Sequence, residues 1–512
     1  MAANAKKAIV WIMFFTVCSK LLGFARDVYF SSKFGASVLT DSYLLAQTIP
    51  NLIFASIAYG AFSTYIPVYS KVQKDNGRAE ALGFTNNLLN IVITISIIFS
   101  ILGIIFTENI VALIAQGFNE DAISLTSQMT KLFFPTIIVT GIGYIIRGYL
   151  QINNFFLGQS ILGLVLNFTI ITSIFLSDPN NIQTVAYGFI LGSILELMLI
   201  LLLAVRKGYK YQPVLKVREP TILKTYVLMA PVLLGTGLNQ INAFIDRLLA
   251  STLKEGSISA LNYAQTLTAF LISVFAISLA TVLYPKMSRL AVSNDILGLK
   301  RSLINSLSII SAITIPIIII IIILAYPIIQ IVFERGMFGT EDTKRTSLAL
   351  VYLAVSILGI SLREIIVKVF FALHDTKTPL INTSIAVVLN IILNLILIKP
   401  LGIGGLALAA SLSSVMCSIL LLISLQRKIG DISILSFFKE FFKVISSSIL
   451  MGFFLYLMYK MLFNLSGTWL NQILILVTLI VLSLIVYILL LALHKSEGIV
   501  YAMRIILRSL RV

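Results

Sequence analysis

Apolar residues run along this chain in blocks of about twenty, separated by short polar segments, almost from one end to the other. A helix needs about 20 apolar residues to cross the hydrocarbon core of a bilayer. The blocks predict fourteen membrane-spanning helices, over residues 8–33, 39–70, 83–106, 128–150, 157–177, 182–205, 222–252, 258–285, 302–326, 346–372, 379–398, 402–426, 441–463 and 469–493. They are continuous and lack the alternation, over about ten residues, of an outer-membrane barrel strand. The predicted class is therefore an all-α polytopic membrane protein, each span closing its own backbone hydrogen bonds.

Composition supports this and redirects the meaning of the charge. Of 512 residues, 58% are hydrophobic and 12% charged, more apolar surface than a water-soluble fold of this size hides. Lys and Arg outnumber Asp and Glu by 38 to 21, giving a net charge of +17, which in a soluble chain would suggest nucleic acid. Here the basic residues follow the loops: alternate segments carry 25 on one side of the membrane and 8 on the other. The positive-inside rule then places both termini in the cytoplasm, and no nucleic-acid partner is expected. Lys6 and Lys7 precede an apolar run, but no small-residue cleavage site follows, so a secretory signal is not expected. Residues 495–512 set Arg504, Arg508 and Arg511 at helical spacing among apolar residues, which predicts an amphipathic cytoplasmic tail on the anionic leaflet.

Several enzyme and cofactor classes fall away. Cys18 and Cys417 lie far apart in apolar stretches, and His374 and His494 are the two histidines, so neither a disulfide framework nor a Cys- or His-based metal centre is indicated. No Walker A glycine loop is present. A membrane-embedded glycosyltransferase or phosphatase would need a carboxylate or histidine cluster on a loop, and the longest outside loop, around Glu108 to Asp121, holds no histidine.

The chain repeats itself. A shift of 218 residues lays Ala46-Gln47-Thr48 on Ala264-Gln265-Thr266, Pro67 on Pro285 and Lys71 on Arg289. A shift of 221 pairs Arg26 with Arg247, Lys33 with Lys254 and Gly35 with Gly256, and one of 223 pairs Val165-Leu166-Asn167 with Val388-Leu389-Asn390. Three nearly equal shifts in sequence order define an N-lobe of six helices (1–205), a basic cytoplasmic linker (206–224) and a C-lobe of six helices (225–428). Two further helices (429–494) and the tail (495–512) lie outside the repeat. Lobes with an even number of spans share one orientation, so an axis along the membrane normal relates them around a central cavity. Rocking one against the other would give alternating access. An inert helical scaffold is the plainer alternative.

Ionised side chains at mid-bilayer cost roughly 2.5–3.5 kcal/mol even on the lenient insertion scale, so those present usually face water or each other. Lys20, Arg26 and Asp27 lie in the first span, with Gly23 between them as a possible bend; Asp246 and Arg247 lie in the seventh, after Pro231, Gly235 and Gly237. A guanidinium grips phosphate oxygens with a two-pronged fork and an ammonium adds a compact charge, so Lys20, Arg26 and Arg247 form a candidate site for a pyrophosphate or another anionic headgroup. Asp27 and Asp41 would orient these cations, and Gln47 with its repeat partner Gln265 completes the expected substrate contacts. The plainer alternative is that Arg26 snorkels to the outer interface. Asp246 with Asn390 and Asn394 forms a candidate site for a monovalent cation, although Asn pairs most often join helices. Glu196, and Arg363 with Glu364 and Lys368, read as interhelical pairs or snorkelling groups.

Five segments narrow the field further: Gly23-Phe24-Ala25-Arg26-Asp27, Thr40-Asp41, Pro50-Asn51-Leu52, Gly60-Ala61-Phe62-Ser63 and Phe371-Ala372-Leu373-His374-Asp375-Thr376-Lys377-Thr378-Pro379. With them the chain resembles, over nearly its whole length, the MurJ/MviN lipid II flippases of the multidrug/oligosaccharidyl-lipid/polysaccharide exporter superfamily. The resemblance implies a bacterial inner-membrane transporter, not an enzyme. It would move the undecaprenyl-pyrophosphate-linked peptidoglycan precursor, lipid II, from the inner to the outer leaflet for cell wall synthesis. It also places Arg26, Asp27 and Asp41 on cavity residues of the family, with Lys20 where an arginine is usual. Two family arginines are replaced, one by Phe54 and one at Gln265-Thr266, and Arg247 is expected to compensate in part. A monomer is expected, surrounded by membrane lipids and working with the cell-wall synthesis machinery. No cofactor is expected beyond a coupling ion such as Na+ or another monovalent cation, with the ion gradient or membrane potential as energy source. Two alternatives stay open: a flippase for another lipid-linked polysaccharide, and a cation-coupled drug antiporter of the same superfamily.

Overall fold

The computed structural model describes residues 2–153, 155, 157–432, 434–462 and 468–494. Among these, regular structure is helical throughout, without a strand. In chain order the helices are α1 (Ala2–Phe34), α2 (Val38–Ile105), α3 (Thr107–Ile114), α4 (Glu120–Phe133), α5 (Thr136–Ile152), α6 (Leu157–Leu176), α7 (Gln183–Arg206) and α8 (Pro220–Ser251). Then follow α9 (Ser257–Leu271), a π-helical turn (Ile272–Ile277), α10 (Ser278–Val292), α11 (Ile296–Phe333), α12 (Thr340–Ala372), α13 (Lys377–Leu401), α14 (Ile403–Ile429), α15 (Ile434–Leu462) and α16 (Trp469–Leu493). Eleven described stretches are long and apolar enough to cross a membrane, with a shorter apolar helix, Leu162–Leu176, beside them. The expected tail over 495–512 lies outside the described residues.

Two expected spans, 39–70 and 83–106, both lie in α2, which is two helices joined at a kink. The polar stretch between them is rich in Lys, Gln, Glu and Ala, which are good helix formers, so both helices extend into it up to the kink. Only Gly77 departs from helical geometry, at φ 89° and ψ 174°, a conformation that glycine adopts without steric cost. The span expected over 128–150 falls within one apolar stretch, Glu120–Ile152, in which α4 and α5 meet at Phe134 and Pro135.

The chain divides into two compact units, Met1–Ser259 with Arg335–Gly339, and Ala260–Glu334 with Thr340–Val512. In the first, α2 packs along α5, α8 and α4, α1 against α6, and α6 against α7. Its core centres on Phe54, Tyr65, Tyr69, Tyr149 and Leu45, all nearly inaccessible. Gly148 lets α5 approach there: a Cβ at this position would lie 2.6 Å from the Tyr65 ring. The helix that begins at Pro220 opens the repeat's second lobe in sequence, and it packs along α2 and α3 in the first unit.

The basic segment after α7 is strapped down rather than loose. Three asparagines on α2 hold it. Asn86 donates to the Lys210 carbonyl (2.9 Å) and accepts from the Tyr209 hydroxyl (2.7 Å). Asn87 donates to the Lys216 carbonyl (3.1 Å) and the Glu219 carboxylate (2.7 Å) and accepts from the Lys216 amide (2.7 Å). Asn90 donates to the Val214 carbonyl (2.9 Å) and accepts from the Tyr211 hydroxyl (3.0 Å). Backbone groups that would otherwise need water are thereby satisfied by α2.

In the second unit α12 packs against α11 and α14, α13 against α14, and α15 and α16 pack on α11. Gly359 allows the α12–α14 approach, since a Cβ there would sit 2.6 Å from the Ser414 backbone. Trp469 Nε1 donates to the Ile331 carbonyl (3.3 Å) and the Tyr487 hydroxyl to the Ala312 carbonyl (2.8 Å), fixing α16 to α11. Helix α11 bends at Leu324 (φ −105°, ψ 15°), three residues before Pro327, whose missing N–H and bulky ring interrupt the helical ladder.

Candidate functional site

Arg26 and Asp27 are consecutive in α1, and on a regular helix their side chains leave about 100° apart. Arginine is long enough to fold across that angle. Its Nε and Nη2 both donate to Asp27 Oδ1, at 2.9 and 2.7 Å, while Nη1 donates to Asn167 Oδ1 on α6 at 3.0 Å. Asn167 is held in turn, its Nδ2 donating to the carbonyls of Gly163 (2.8 Å) and Ser19 (3.3 Å). The guanidinium is thus gripped on two edges, which fixes the direction of its fork while leaving 27% of the side chain accessible. Tyr43, buried between Phe30 and Phe133, lies within electrostatic reach of both members of the pair. Lys20, two turns earlier on the same helix, is exposed.

Asp41 has a different environment. It is 2% exposed and reaches from the first turn of α2 to the start of α9. Its Oδ1 accepts from the Ser259 amide and hydroxyl, both at 2.7 Å, and its Oδ2 from the Gly256 amide at 2.7 Å. A carboxylate at a helix N-terminus satisfies donors that have no partner within the helix and meets the positive end of its dipole. Thr40 adds a bond to the Ser259 hydroxyl (3.2 Å), and Ser37 closes a capping box with Thr40 at the head of α2. Gly256 must be glycine here: its φ is +82° and a Cβ would fall 2.2 Å from the Ala36 carbonyl oxygen.

Arg247, on α8, lies within the electrostatic influence of Asp246 and Asp41. Asp246 accepts from Asn242 Nδ2 at 3.3 Å. Lys20, Arg26 and Arg247 all belong to the first unit, as do Asp27, Asp41 and Gln47; Gln265, half-buried, belongs to the second. The three cations are therefore elements of one compact unit, with α8 packed along α2.

In the second unit the buried Asn390 donates to the Ser413 hydroxyl (3.1 Å) and accepts from Asn394 Nδ2 (3.1 Å). The first bond joins α13 to α14, and the second lies within α13. Asp246 belongs to the first unit, and among the described residues no three His, Cys, Asp or Glu side chains gather as a metal cluster. Glu196 pairs with Arg147 across α7 and α5, Arg363 with Glu364 at 3.6 Å, and the Lys368 ammonium lies 5.6 Å from the Tyr284 ring centre.

The segment 371–379 forms the turn between α12 and α13. His374 adopts φ +57°. Asp375 accepts from the Thr378 amide (3.0 Å) and hydroxyl (2.8 Å) and pairs with Lys428 at the end of α14. Burial pushes its carboxyl up, but the Lys428 and Thr378 bonds outweigh this and hold it down at about 2.

Sequence reasoning singled out Arg26, Asp27 and Asp41 but not their partners Asn167, Gly256 and Ser259. The repeat carried a signal for Asn167, since it pairs that residue with Asn390. Phe54, which stands where a family arginine is usual, is 1% exposed and part of the first unit's core. Thr266, at the other such position, is half-buried and donates to the Asn262 carbonyl (2.9 Å).

The family model for "Lipid II flippase MurJ" matches residues 30–458. A "Probable lipid II flippase MurJ" of Buchnera aphidicola subsp. Schizaphis graminum is 29% identical over 500 residues, covering 96% of each chain. The solved structure of "Lipid II flippase MurJ, inward closed conformation" superposes with a TM-score of 0.81 at 28% identity, over 96% of this chain and all of the other. An inward-facing multidrug resistance MATE transporter of the MOP superfamily shares the fold, with a TM-score of 0.67 at 13% identity over 83% of this chain and 98% of that one.

Proposed function

The chain belongs to the MurJ family of lipid II flippases, and from that premise we propose that it carries lipid II across the bacterial inner membrane, from the inner to the outer leaflet, by alternating access. It is a multi-pass membrane transporter, not an enzyme. The observation that carries the reading to particular residues is the gripped guanidinium of Arg26, a cation on an apolar helix with its fork aligned by Asp27 and Asn167. A pyrophosphate oxygen competing for that fork meets donors already oriented, so little ordering is left to be done when the substrate arrives. Lys20 and Arg247 supply further positive charge for the second phosphate, and Gln47 and Gln265 neutral contacts to the head.

Asp41 has a conformational role in this reading. Its bonds to Gly256 and Ser259 hold the head of α9 against the head of α2, and they have to break or re-form whenever those two helix ends separate. Both termini face the cytoplasm in the proposed orientation, by the loop charge bias, and the protein acts as a monomer beside the cell-wall synthesis machinery. Energy comes from an ion gradient or the membrane potential, with Asp246, Asn390 and Asn394 as the candidate groups for Na+ or another monovalent cation.

The test is complementation. A bacterium depleted of its own lipid II flippase is expected to grow when this chain is expressed. Failure despite normal membrane levels would overturn lipid II as the substrate and favour another lipid-linked polysaccharide.

A further inference from the structure

A cavity of about 380 Å³ opens in the first unit between the end of the first half of α2 and the start of α8. Its floor is apolar, with the buried Val68 and the half-buried Val72, and its exposed rim carries Leu228 and two lysines, Lys71 and Lys224. We propose that this pocket binds the phosphate headgroup of an anionic phospholipid from the surrounding leaflet, at a place separate from Arg26 and Asp41.

Four observations carry the proposal. Lys71 and Lys224 are exposed and form no ion pair with any described residue, so their charge is available to a ligand. The apolar floor beneath a cationic rim matches an amphiphile better than a free ion, because a glycerol backbone and the first acyl carbons need an apolar surface beside the phosphate. The frame is hydrogen-bonded in place: the Asn86, Asn87 and Asn90 clamp holds the chain up to Glu219, directly before α8, and so sets where Lys224 stands. Glu219 itself is tied to Asn87 and is not part of the lining.

Asp75 and Asn76 also face the cavity. A lone carboxylate beside two ammonium groups leaves the rim cationic and accepts a hydroxyl, which selects a phosphodiester with a hydroxylated headgroup over a bare phosphate. In the proposed orientation the pocket opens at the headgroup level of the cytoplasmic leaflet, where anionic lipid is available.

The experiment titrates the full-length protein in neutral detergent with phosphatidylglycerol, phosphatidylcholine, inorganic phosphate and lipid II, reading binding by native mass spectrometry and thermal shift. Lys71→Gln/Lys224→Gln is expected to weaken phosphatidylglycerol binding about thirtyfold, roughly fivefold for each lysine at a membrane surface. The charge-matched control Lys74→Gln/Lys210→Gln is expected to change it less than about threefold, and phosphatidylcholine binding is expected to be the same in all three proteins. Equal losses in the two double variants would reduce the effect to diffuse surface charge and overturn the site. So would inorganic phosphate competing as well as the lipid, or selection of lipid II rather than phosphatidylglycerol by the two lysines. Val72→Trp keeps both charges and fills the floor, and undiminished phosphatidylglycerol binding in that variant would also sink the proposal. Lipid II translocation by Lys71→Gln/Lys224→Gln in vesicles without phosphatidylglycerol is expected at the wild-type rate, which separates this site from the flippase reading.

Discussion

Asn167 and Asn390 occupy equivalent positions in the internal repeat, and they make different bonds. Asn167 accepts from the Arg26 guanidinium and anchors it to α6, whereas Asn390 donates to Ser413, a neutral junction between α13 and α14, and accepts from Asn394 on its own helix. Both are nearly buried, at 8% and 4% exposure. The difference shows how two copies of a duplicated helical framework come to bond differently. The same amide serves as glue where its neighbours are neutral, and as the positioning group of a cation where a charged residue lies within reach. A buried amide is satisfied either way, so packing alone does not force the two copies to stay alike.

The comparison breaks most easily at Arg26. In proteoliposomes Arg26→Ala is expected to lower lipid II translocation about a hundredfold, the upper range for losing a charge-assisted contact. A wild-type rate would remove the first unit's claim to the substrate. Next in size, Asn167→Leu is expected to reduce translocation about tenfold by freeing the guanidinium, while Asn390→Leu costs roughly 1 kcal/mol of stability and less than about threefold in rate. Measuring both variants for rate and for melting temperature sharpens the contrast; the reverse ranking would assign the charged chemistry to the second unit.

The smallest effect belongs to the Asp375 turn. Its carboxyl sits at about 2 against an ordinary 3.8, so its bonds contribute full stability above pH 3.8 and lose it as the pH falls toward 2. Lys428→Ala is expected to lower stability at neutral pH by about 0.5 kcal/mol, within the range for partly exposed ion pairs, and to flatten the loss of melting temperature between those two pH values. Unchanged acid sensitivity in Lys428→Ala would mean that Thr378, not Lys428, holds the carboxylate.

The internal repeat was legible but its structural grouping was not. Gln47 and Gln265 fall in register at one shift, and Arg26 and Arg247 at another, yet the helix bearing Arg247 joins the first unit through its packing on α2. Register along a chain says which residues are related by descent, whereas packing depends on which apolar faces meet. The linker shows the same limit. Its six basic residues between Arg206 and Lys224 read as a charged connection, and only the side chains of Asn86, Asn87 and Asn90, more than a hundred residues earlier, turn it into a strap. Phe54 read as a missing cation and proves to be core.

What local pattern decided is the class of molecule: continuous apolar blocks leave a backbone no choice but helices in a bilayer, and ionised residues within such blocks mark where chemistry is expected, because burying them without purpose is costly. Arg26, Asp27 and Asp41 could be named on that ground alone. Their partners could not. Asn167 is 141 residues from Arg26, and Gly256 and Ser259 are 215 and 218 from Asp41. A hydrogen bond depends on separations of a few tenths of an ångström that no residue spacing along the chain encodes, so the alignment of the Arg26 fork and the capping of α9 by Asp41 were settled only when the helices packed.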